Sequence, residues 1–245
     1  MLGLPSDDID IALSNMQGAT FAELCQAHLK KHDPAAKTAT IHEIKTNPDK
    51  SKHLATATMK LEGYMCDMVN LRAETYSDTS RIPEIRFGEP LEDAQRRDLT
   101  INALFYNLHT EAVEDWTEMG MEDLLHGIIR TPIEPVQTFL DDPLRMLRVI
   151  RFASRFKFKI ETHVLEALQA AKVKAALANA EKISRERIGV EVAKMLTSKS
   201  PLYAIALLLE TSLLSTIFNL PESIWQKTLD RATHLLRSLS HLLFV

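Results

Sequence analysis

The chain has 245 residues, of which 45% are hydrophobic and 25% are charged, and its formal net charge at pH 7 is −4. This composition is typical of a soluble globular protein with one large domain or two small ones. The net charge excludes an overall basic surface for nucleic acid, so any basic binding surface must be local. No apolar run approaches the length of a membrane span, and the two cysteines lack metal-ligand spacing. We therefore expect an intracellular, soluble protein with reduced thiols, in the cytoplasm, nucleus, mitochondrion or plastid.

The first strand-like segment, DDIDIAL, carries two acidic residues, Asp8 and Asp10, in an otherwise apolar stretch. Residues two apart on a strand point to the same face, so both carboxylates should project together while Ile9 and Ile11 enter the core. Paired carboxylates suit Mg²⁺, which proteins hold with one or two carboxylates and substrate phosphates. A solvated turn before a strand is the alternative.

The segment ATATMKLEGYMCDMVNLR alternates polar and apolar residues on both sides of Gly63, which predicts paired strands. The flanking segments KTNPDKSKH and YSDTSRIPEIRFGEP are predicted to be loops. Asp67 lies inside the apolar run YMCDMVNL, where a charge is costly without a partner. A third carboxylate on a neighbouring strand is what a two-metal nucleotidyl transfer site needs, whereas a surface position on an edge strand is the alternative.

The segment LEDAQRRDLTINALFYNL follows Pro90 and is predicted to begin a helix that carries Arg96, Arg97 and Asp98. An arginine held by an aspartate beside a buried face can offer a rigid fork to a phosphate. A solvated helix turn is the alternative.

After Pro132 only helices are predicted, and one of them is rich in arginine. In DDPLRMLRVIRFASRF, arginines recur every three or four residues on one broad side of a mostly apolar helix: Arg145, Arg148, Arg151 and Arg155. Buried arginines require anions, and Asp141 and Asp142 can satisfy one or two of them. The others indicate a polyanionic ligand such as a nucleoside triphosphate or a nucleic-acid backbone, or else a structural salt-bridge network. The fold class is α+β, with a small antiparallel or mixed sheet followed by an all-α portion.

Taken in order, these motifs resemble those of the class II tRNA nucleotidyltransferases, the CCA-adding enzymes. The match covers residues 2–196 and consists of DDIDIAL, DMVNLR, RRDLTINALFYN, VEDWTEMGMEDLLHGIIRTP, DDPLRMLRVIRFASRF and ERIGVEVAKML. The resemblance implies a polymerase-β-like nucleotidyltransferase head at residues 1–132, a helical neck that recognises the base at 133–200, and a partial helical body at 201–245.

The activity implied by the resemblance is template-independent addition of CCA to tRNA 3′ ends from CTP and ATP, so the expected partners are tRNA and these nucleotides, without a membrane. A tRNA 3′-hydroxyl, activated by one Mg²⁺, would attack the α-phosphorus, while a second Mg²⁺ and arginines stabilise the pyrophosphate.

The resemblance also assigns roles to individual residues. Asp8 and Asp10 match the metal-binding pair and Asp67 the third catalytic carboxylate. The matched nucleotide-binding residues are Arg97, Asp142, Arg145, Arg148 and Arg151. A hinge between head and neck is expected around Asp115, Gly120 and Gly127, and support of the neck helices from Arg185, Glu186, Arg187 and Glu191.

Base recognition by Asp142 and Arg145 also has a physical rationale. The pairing edges of cytosine and adenine both present an amino donor beside a ring-nitrogen acceptor. A carboxylate next to a guanidinium complements both edges, whereas guanine and uracil would face like groups. In the family's EDxxR motif, Asp141 here replaces the glutamate.

The chain also departs from the family pattern. The family's GGxVRD segment, which cradles the triphosphate, lies upstream of the matched region, and its body and tail domains extend further downstream. We therefore expect an incomplete chain that incorporates CMP or AMP poorly or not at all. The alternatives are a poly(A) polymerase or CC-adding enzyme of the same superfamily, and a non-catalytic nucleotide- or RNA-binding remnant. A DxD phosphohydrolase of another superfamily would leave the arginine-rich helix unexplained.

Overall fold

The computed structural model describes residues 2–3, 8–32, 41–44, 56–61, 63–77, 80–218, 227 and 230–231. The chain divides into two units, Met1–Arg96 (unit 1) and Arg97–Val245 (unit 2). None of the helices in the described ranges is both long and apolar enough to cross a membrane.

Unit 1 contains a four-stranded mixed sheet with one long helix. Its elements are β1 Asp8–Leu13, α1 Gly18–His32, β2 Ile41–Ile44, β3 Thr56–Leu61, β4 Tyr64–Asn70, β5 Arg72–Ser77, β6 Ser80–Phe87 and α2 Pro90–Gln95. The strand order is β1-β4-β3-β2, in which β1 runs parallel to β4 and the other pairs are antiparallel. Strands β5 and β6 form a separate two-stranded ribbon.

Helix α1 covers one face of the mixed sheet. Every second residue of β3 and β4 is buried, and the resulting core consists of Ala22, Ala57, Met59, Cys66 and Met68. The helix begins very close to the sheet, since a Cβ atom added at Gly18 would lie 2.3 Å from the carbonyl oxygen of Met68. The opposite face of the sheet is therefore the one that can present polar side chains.

The predicted strand pair around Gly63 is confirmed, because β3 and β4 are antiparallel neighbours. The prediction of a loop over residues 76–90 was wrong for residues 80–87, which form β6 and pair with β5 in the register Arg72↔Phe87. The proline and glycine in this segment suggested a loop, but proline is tolerated in edge strands, and both strands of a two-stranded ribbon are edges. The loop predicted at 45–53 lies outside the described residues.

The helix predicted after Pro90 is shorter than expected. Helix α2 ends at Gln95, and a 3₁₀ turn at Thr100–Asn102 follows a short bend. Asp98 explains this ending, because its Oδ1 accepts hydrogen bonds from the backbone N–H of Leu99 and the side chain of Asn102. Such local side-chain bonds compete with helical ones.

Unit 2 is predominantly helical. Its elements are β7 Leu104–Asn107, β8 Ala112–Asp115, α3 Gly120–His126, β9 Ile128–Ile129, α4 Pro135–Asp141, α5 Leu144–Phe156, β10 Lys159–Ile160, α6 Thr162–Gln169, α7 Ala171–Ala178, α8 Arg185–Leu196, α9 Pro201–Glu210 and α10 Leu213–Phe218. Helix α5 contributes Leu144, Met146, Leu147, Val149, Ile150 and Ala153 to the core and packs against α8 and α9. The predicted order, an α+β region followed by a helical region, is confirmed. The exception is the two-residue strand β10, which follows Pro132 and pairs with β9.

Candidate functional site

The three acidic residues singled out from the sequence lie on one face of the unit 1 sheet. Asp10 is the register partner of Asp67 on the neighbouring parallel strand, and Asp8 is the partner of Met65. Residues paired across a ladder, and residues two apart along a strand, project from the same side. These carboxylates therefore share the face opposite α1, where Asp8 and Asp10 are exposed and Asp67 is half-buried.

The expectation for the two isoleucines of β1 was correct only for one of them. Ile11 packs against the core beneath α1, together with Leu13. Ile9 is instead 45% exposed and takes no part in that core. Of the apolar residues of β1, Ile11 and Leu13 contact the hydrophobic cluster beneath α1, and Ile9 lies outside this cluster.

Asp67 has a hydrogen-bond partner that sequence reasoning missed. The Oγ1 hydroxyl of Thr58 donates a bond of 2.6 Å to Oδ1 of Asp67, and the two residues are opposite one another on β3 and β4. The alternation around Gly63 could have revealed this pairing, because a hairpin that turns at that glycine places Thr58 opposite Asp67. The hydroxyl orients the carboxylate on the acidic face.

The acidic face offers oxygen donors to a cation. Within the described ranges, no three histidine, cysteine, aspartate or glutamate side chains lie close enough to hold a metal ion together. Asp10 and Asp67 on adjacent strands nevertheless form an all-carboxylate set. A hard divalent cation that takes one or two carboxylates and completes its coordination with phosphate oxygens and water is compatible with this set.

In unit 2, Arg97 lies in the bend that leads into the 3₁₀ turn, not on the predicted helix. Its Nη1 donates to the carbonyl oxygen of Asn102 at 3.0 Å, and its guanidinium carbon lies 5.0 Å from the ring centroid of Phe105. The bend and the cation–π contact together fix the orientation of this guanidinium.

Asp98 joins this bend to the arginine-rich helix. Its side chain is buried, and its Oδ2 accepts a bond of 2.6 Å from Nε of Arg148. The other oxygen, Oδ1, is the one that accepts from Leu99 and Asn102. One carboxylate therefore anchors both α5 and the 3₁₀ turn.

A second buried carboxylate holds Arg151. Oε2 of Glu191 on α8 accepts a bond of 2.6 Å from Nε of Arg151, and the two side chains are 6% and 11% exposed. The guanidinium of Arg151 also lies over the ring of Phe152, 4.1 Å from its centroid. In both pairs Nε of the arginine donates to the carboxylate. These two hydrogen bonds do not use the terminal Nη1 and Nη2 atoms of the guanidinium.

The sequence did not indicate the partners of Arg148 and Arg151. Asp98 and Glu191 pair with them, whereas Asp141 accepts from Gln137 at 2.7 Å. Asp142 accepts from the backbone N–H of Leu144 at 3.1 Å, and its Oδ2 lies 3.5 Å from Nη2 of Arg187. The distant partners carry no local sequence signal.

Arg145 is buried at the start of α5, and its Nη1 lies 3.4 Å from the carbonyl oxygen of Thr138 on α4. Asp142 separates α4 from α5, and its carbonyl oxygen accepts from the backbone N–H of Arg145 at 3.0 Å. Asp142 and Arg145 are thus neighbours at the start of α5, where the side chain of Asp142 is partly exposed and that of Arg145 is buried.

The segment from Asp115 to Arg130 is tightly bonded. Asp115 accepts from Thr117 through Oδ1 and from the backbone of Met121 through Oδ2. Buried Asp123 accepts from Thr100 and Arg130. A Cβ atom at Gly120 would lie 2.7 Å from the carbonyl oxygen of Thr100, so only glycine permits this approach.

Comparison with known proteins relates this geometry to a family. The family model of the poly(A) polymerase head domain matches residues 1–130, and a model described as a probable RNA and SrmB-binding site of polymerase A matches residues 157–224. The mitochondrial CCA tRNA nucleotidyltransferase of Saccharomyces cerevisiae is 50% identical over 222 residues, which are 89% of this chain and 40% of the yeast protein. The CCA-adding enzyme of Ligilactobacillus salivarius is 35% identical, over 87% of this chain and 46% of that enzyme.

Solved structures agree with the sequence relatives. A CCA-adding enzyme in complex with ATP superimposes with a TM-score of 0.68 at 27% identity, covering 89% of this chain and 45% of that one. An apo form of a CCA-adding enzyme gives 0.71 at 27% identity, with 89% and 47% coverage. The chain thus spans less than half the length of these relatives. With its mixed sheet, its polymerase-β-like head and its arginine-rich helix, the chain belongs to the tRNA nucleotidyltransferase/poly(A) polymerase family.

Proposed function

We propose that this chain provides the catalytic and nucleotide-selecting part of a tRNA nucleotidyltransferase that adds CCA to tRNA 3′ ends from CTP and ATP. The observation that carries the proposal is the register of Asp10 with Asp67 on one face of the sheet, within a chain 50% identical to the yeast CCA tRNA nucleotidyltransferase. The corresponding domains are a head at residues 1–132, a neck at 133–200 and part of a body at 201–245.

The head residues hold the catalytic metal. Members of this family generally use a divalent metal. We assign Mg²⁺ to Asp8 and Asp10, with Asp67 as the third catalytic carboxylate. A divalent ion bound there would supply Lewis acidity for the attacking hydroxyl and the leaving pyrophosphate. The hydroxyl of Thr58 donates to Oδ1 of Asp67 and so restricts the orientation of this carboxylate.

The neck residues select and hold the nucleotide. Asp142 accepts from the amino group of cytosine or adenine, and Arg145 donates to the adjacent ring nitrogen. Arg97, Arg148 and Arg151 bind the polyanionic part of the nucleotide. Asp98 and Glu191 pre-orient Arg148 and Arg151 through their Nε atoms, so binding costs these side chains little conformational entropy.

The test is incorporation of labelled CMP and AMP into a tRNA that lacks its 3′ end, which also measures whether the wild-type chain incorporates them only poorly, as its departure from the family pattern predicts. Asp8→Ala, Asp10→Ala and Asp67→Ala should each abolish incorporation, whereas Glu23→Ala, an exposed position on α1, should not change it. Product length separates CCA addition from CC addition and poly(A) synthesis. Undiminished incorporation by the Asp10 variant would refute the site, and binding of CTP or ATP without any incorporation would assign a non-catalytic role.

A further inference from the structure

Two histidines lie one turn apart near the end of α1, away from the acidic face. The ring centroids of His28 and His32 are 4.4 Å apart, and the ring planes meet at 30°. Both residues are exposed. On a helix, residues four apart project from the same side, so the two imidazoles are held as neighbours by the backbone. The proposed function uses neither of them.

We propose that His28 and His32 form a two-imidazole binding site for a divalent transition-metal ion such as Ni²⁺, Cu²⁺ or Zn²⁺. Imidazole nitrogens suit these ions, whereas Mg²⁺ and Ca²⁺ prefer oxygen ligands. The described residues provide no third histidine, cysteine or acidic side chain at this point, so water or an added ligand completes the coordination. For such a site the stability order places Cu²⁺ above Ni²⁺ and Zn²⁺.

The position of the pair at the helix terminus also favours a cation. The last carbonyl groups of a helix carry the negative end of its dipole, which attracts positive charge. Lys30 and Lys31 lie in the same turn, but Lys30 is directed toward Gln26, to whose Oε1 its Nζ donates at 3.2 Å. The dipole and the paired rings thus favour the ion, while the neighbouring ammonium groups reduce its affinity.

The site is separate from the acidic face. Ala22, Cys25 and Leu29 of α1 pack against β3 and β4, on the face of the sheet opposite Asp10 and Asp67. An ion that joins His28 to His32 cross-links the last turn of α1 and binds only the helical form. It should therefore raise the temperature at which unit 1 unfolds.

The test is calorimetric titration of the full chain, freed of metal with EDTA and desalted, with NiCl₂ and separately with CuCl₂. We expect one site of highest affinity in the wild type. Two ligands held together bind about 10²-fold more tightly than one, so His28→Gln, His32→Gln and the double variant should all weaken that site by about this factor. An excess of MgCl₂ should not displace the ion.

His126 provides the matched control, because it is an exposed histidine at the end of α3 that is paired with Glu122 and not with a second histidine. His126→Gln should leave the titration and the metal-induced rise in unfolding temperature unchanged. Circular dichroism of each variant verifies that α1 is retained. The proposal is overturned if the double variant keeps the wild-type affinity, if each single variant loses only half of the bound metal without a change in affinity, or if His126→Gln has the same effect.

Discussion

Nε of Arg148 and Oδ2 of Asp98 are joined by a 2.6 Å hydrogen bond between residues 50 positions apart. The same carboxylate also organises the 3₁₀ turn through Leu99 and Asn102. A buried group with this many bonds is costly to remove, because its donors are left without an acceptor. Asp98 is therefore central to the stability of unit 2 as well as to the orientation of one arginine.

Asp98→Ala should lower the free energy of unfolding by about 2–4 kcal/mol, since Arg148 and two further donors lose their acceptor. Asp98→Asn should recover part of this loss, because an amide oxygen still accepts. Urea denaturation measures both. Arg155→Gln, at an exposed position on the same helix, should stay within about 0.5 kcal/mol of the wild type. An equally small effect of Asp98→Ala would contradict the anchoring role.

The Arg151–Glu191 pair should behave as a coupled unit. Glu191→Ala leaves a buried guanidinium without its carboxylate and should cost about 3–5 kcal/mol. The double variant Arg151→Met/Glu191→Met should cost less than Glu191→Ala, because it buries no unpaired charge. A double-mutant cycle in urea measures the coupling. Lys194→Ala is the control, since this exposed lysine lies 3.9 Å from Glu191 and should contribute about 0.5 kcal/mol or less.

Two glycine substitutions should have opposite signs. A Cβ atom at Gly18 would meet the carbonyl oxygen of Met68 at 2.3 Å, so Gly18→Ala must push α1 away from β4 and destabilise unit 1. Gly189 lies within α8 and has nothing within 4 Å of an added Cβ atom. Gly189→Ala should therefore stabilise the protein by about 0.5–1 kcal/mol through helix propensity. Thermal melts measure the change in unfolding temperature for both variants. A change in the same direction for both would contradict this packing.

The stability of α2 should depend on pH through Glu92. The backbone N–H of Glu89 and then the Arg86 guanidinium hold the pKa of the Glu92 carboxyl below its ordinary value of 4.5. A folded-state pKa below the unfolded one stabilises the protein fully above the unfolded value and ceases to do so as the pH falls through the folded value. The difference in urea midpoint between wild type and Glu92→Gln should thus be largest near neutral pH and vanish in acid. The urea midpoint of Arg86→Gln should fall less in acid than that of the wild type. If the difference in midpoint between wild type and Glu92→Gln does not change with pH, the Glu92 carboxyl is not the cause.

The hydroxyl of Thr58 should matter for catalysis if Asp67 is a catalytic carboxylate. Thr58→Val keeps the shape of the side chain but removes the donor to Oδ1. Loss of such an orienting partner typically costs 10–100-fold, so incorporation should fall by about 10-fold or more. Thr58→Ser keeps the hydroxyl and should retain most of the activity. Equal rates for the Val and Ser variants would show that the hydroxyl does not orient the carboxylate.

Much of the architecture was predictable because it is periodic. The alternation on both sides of Gly63 predicted β3 and β4, and the spacing of apolar positions predicted that the chain after Pro132 is helical, but not that α6 and α7 or α9 and α10 are separate helices. The shared face of Asp8 and Asp10 followed from the strand period alone. These features depend on neighbours along the chain.

The features that sequence reasoning missed depend on contacts between distant segments. Nothing near Arg151 indicates that Glu191 will be its partner, because that pairing exists only once α5 packs against α8. From the sequence, only the nearby Asp141 and Asp142 could be considered as partners for one or two of the arginines of α5. The strand β6 was missed because its proline suggested a loop, although proline is tolerated in the edge strands of a two-stranded ribbon.

The parallel pairing of β1 with β4 determines when the acidic face can assemble. Strands β2, β3 and β4 follow one another as antiparallel neighbours, so they can form from adjacent pieces of chain. Strand β1 joins only after a helix and two strands intervene, which makes its docking a late and entropically expensive event during folding. Strands β3 and β4 can therefore pair before Asp10 is placed beside Asp67, so the acidic face is completed only when β1 docks.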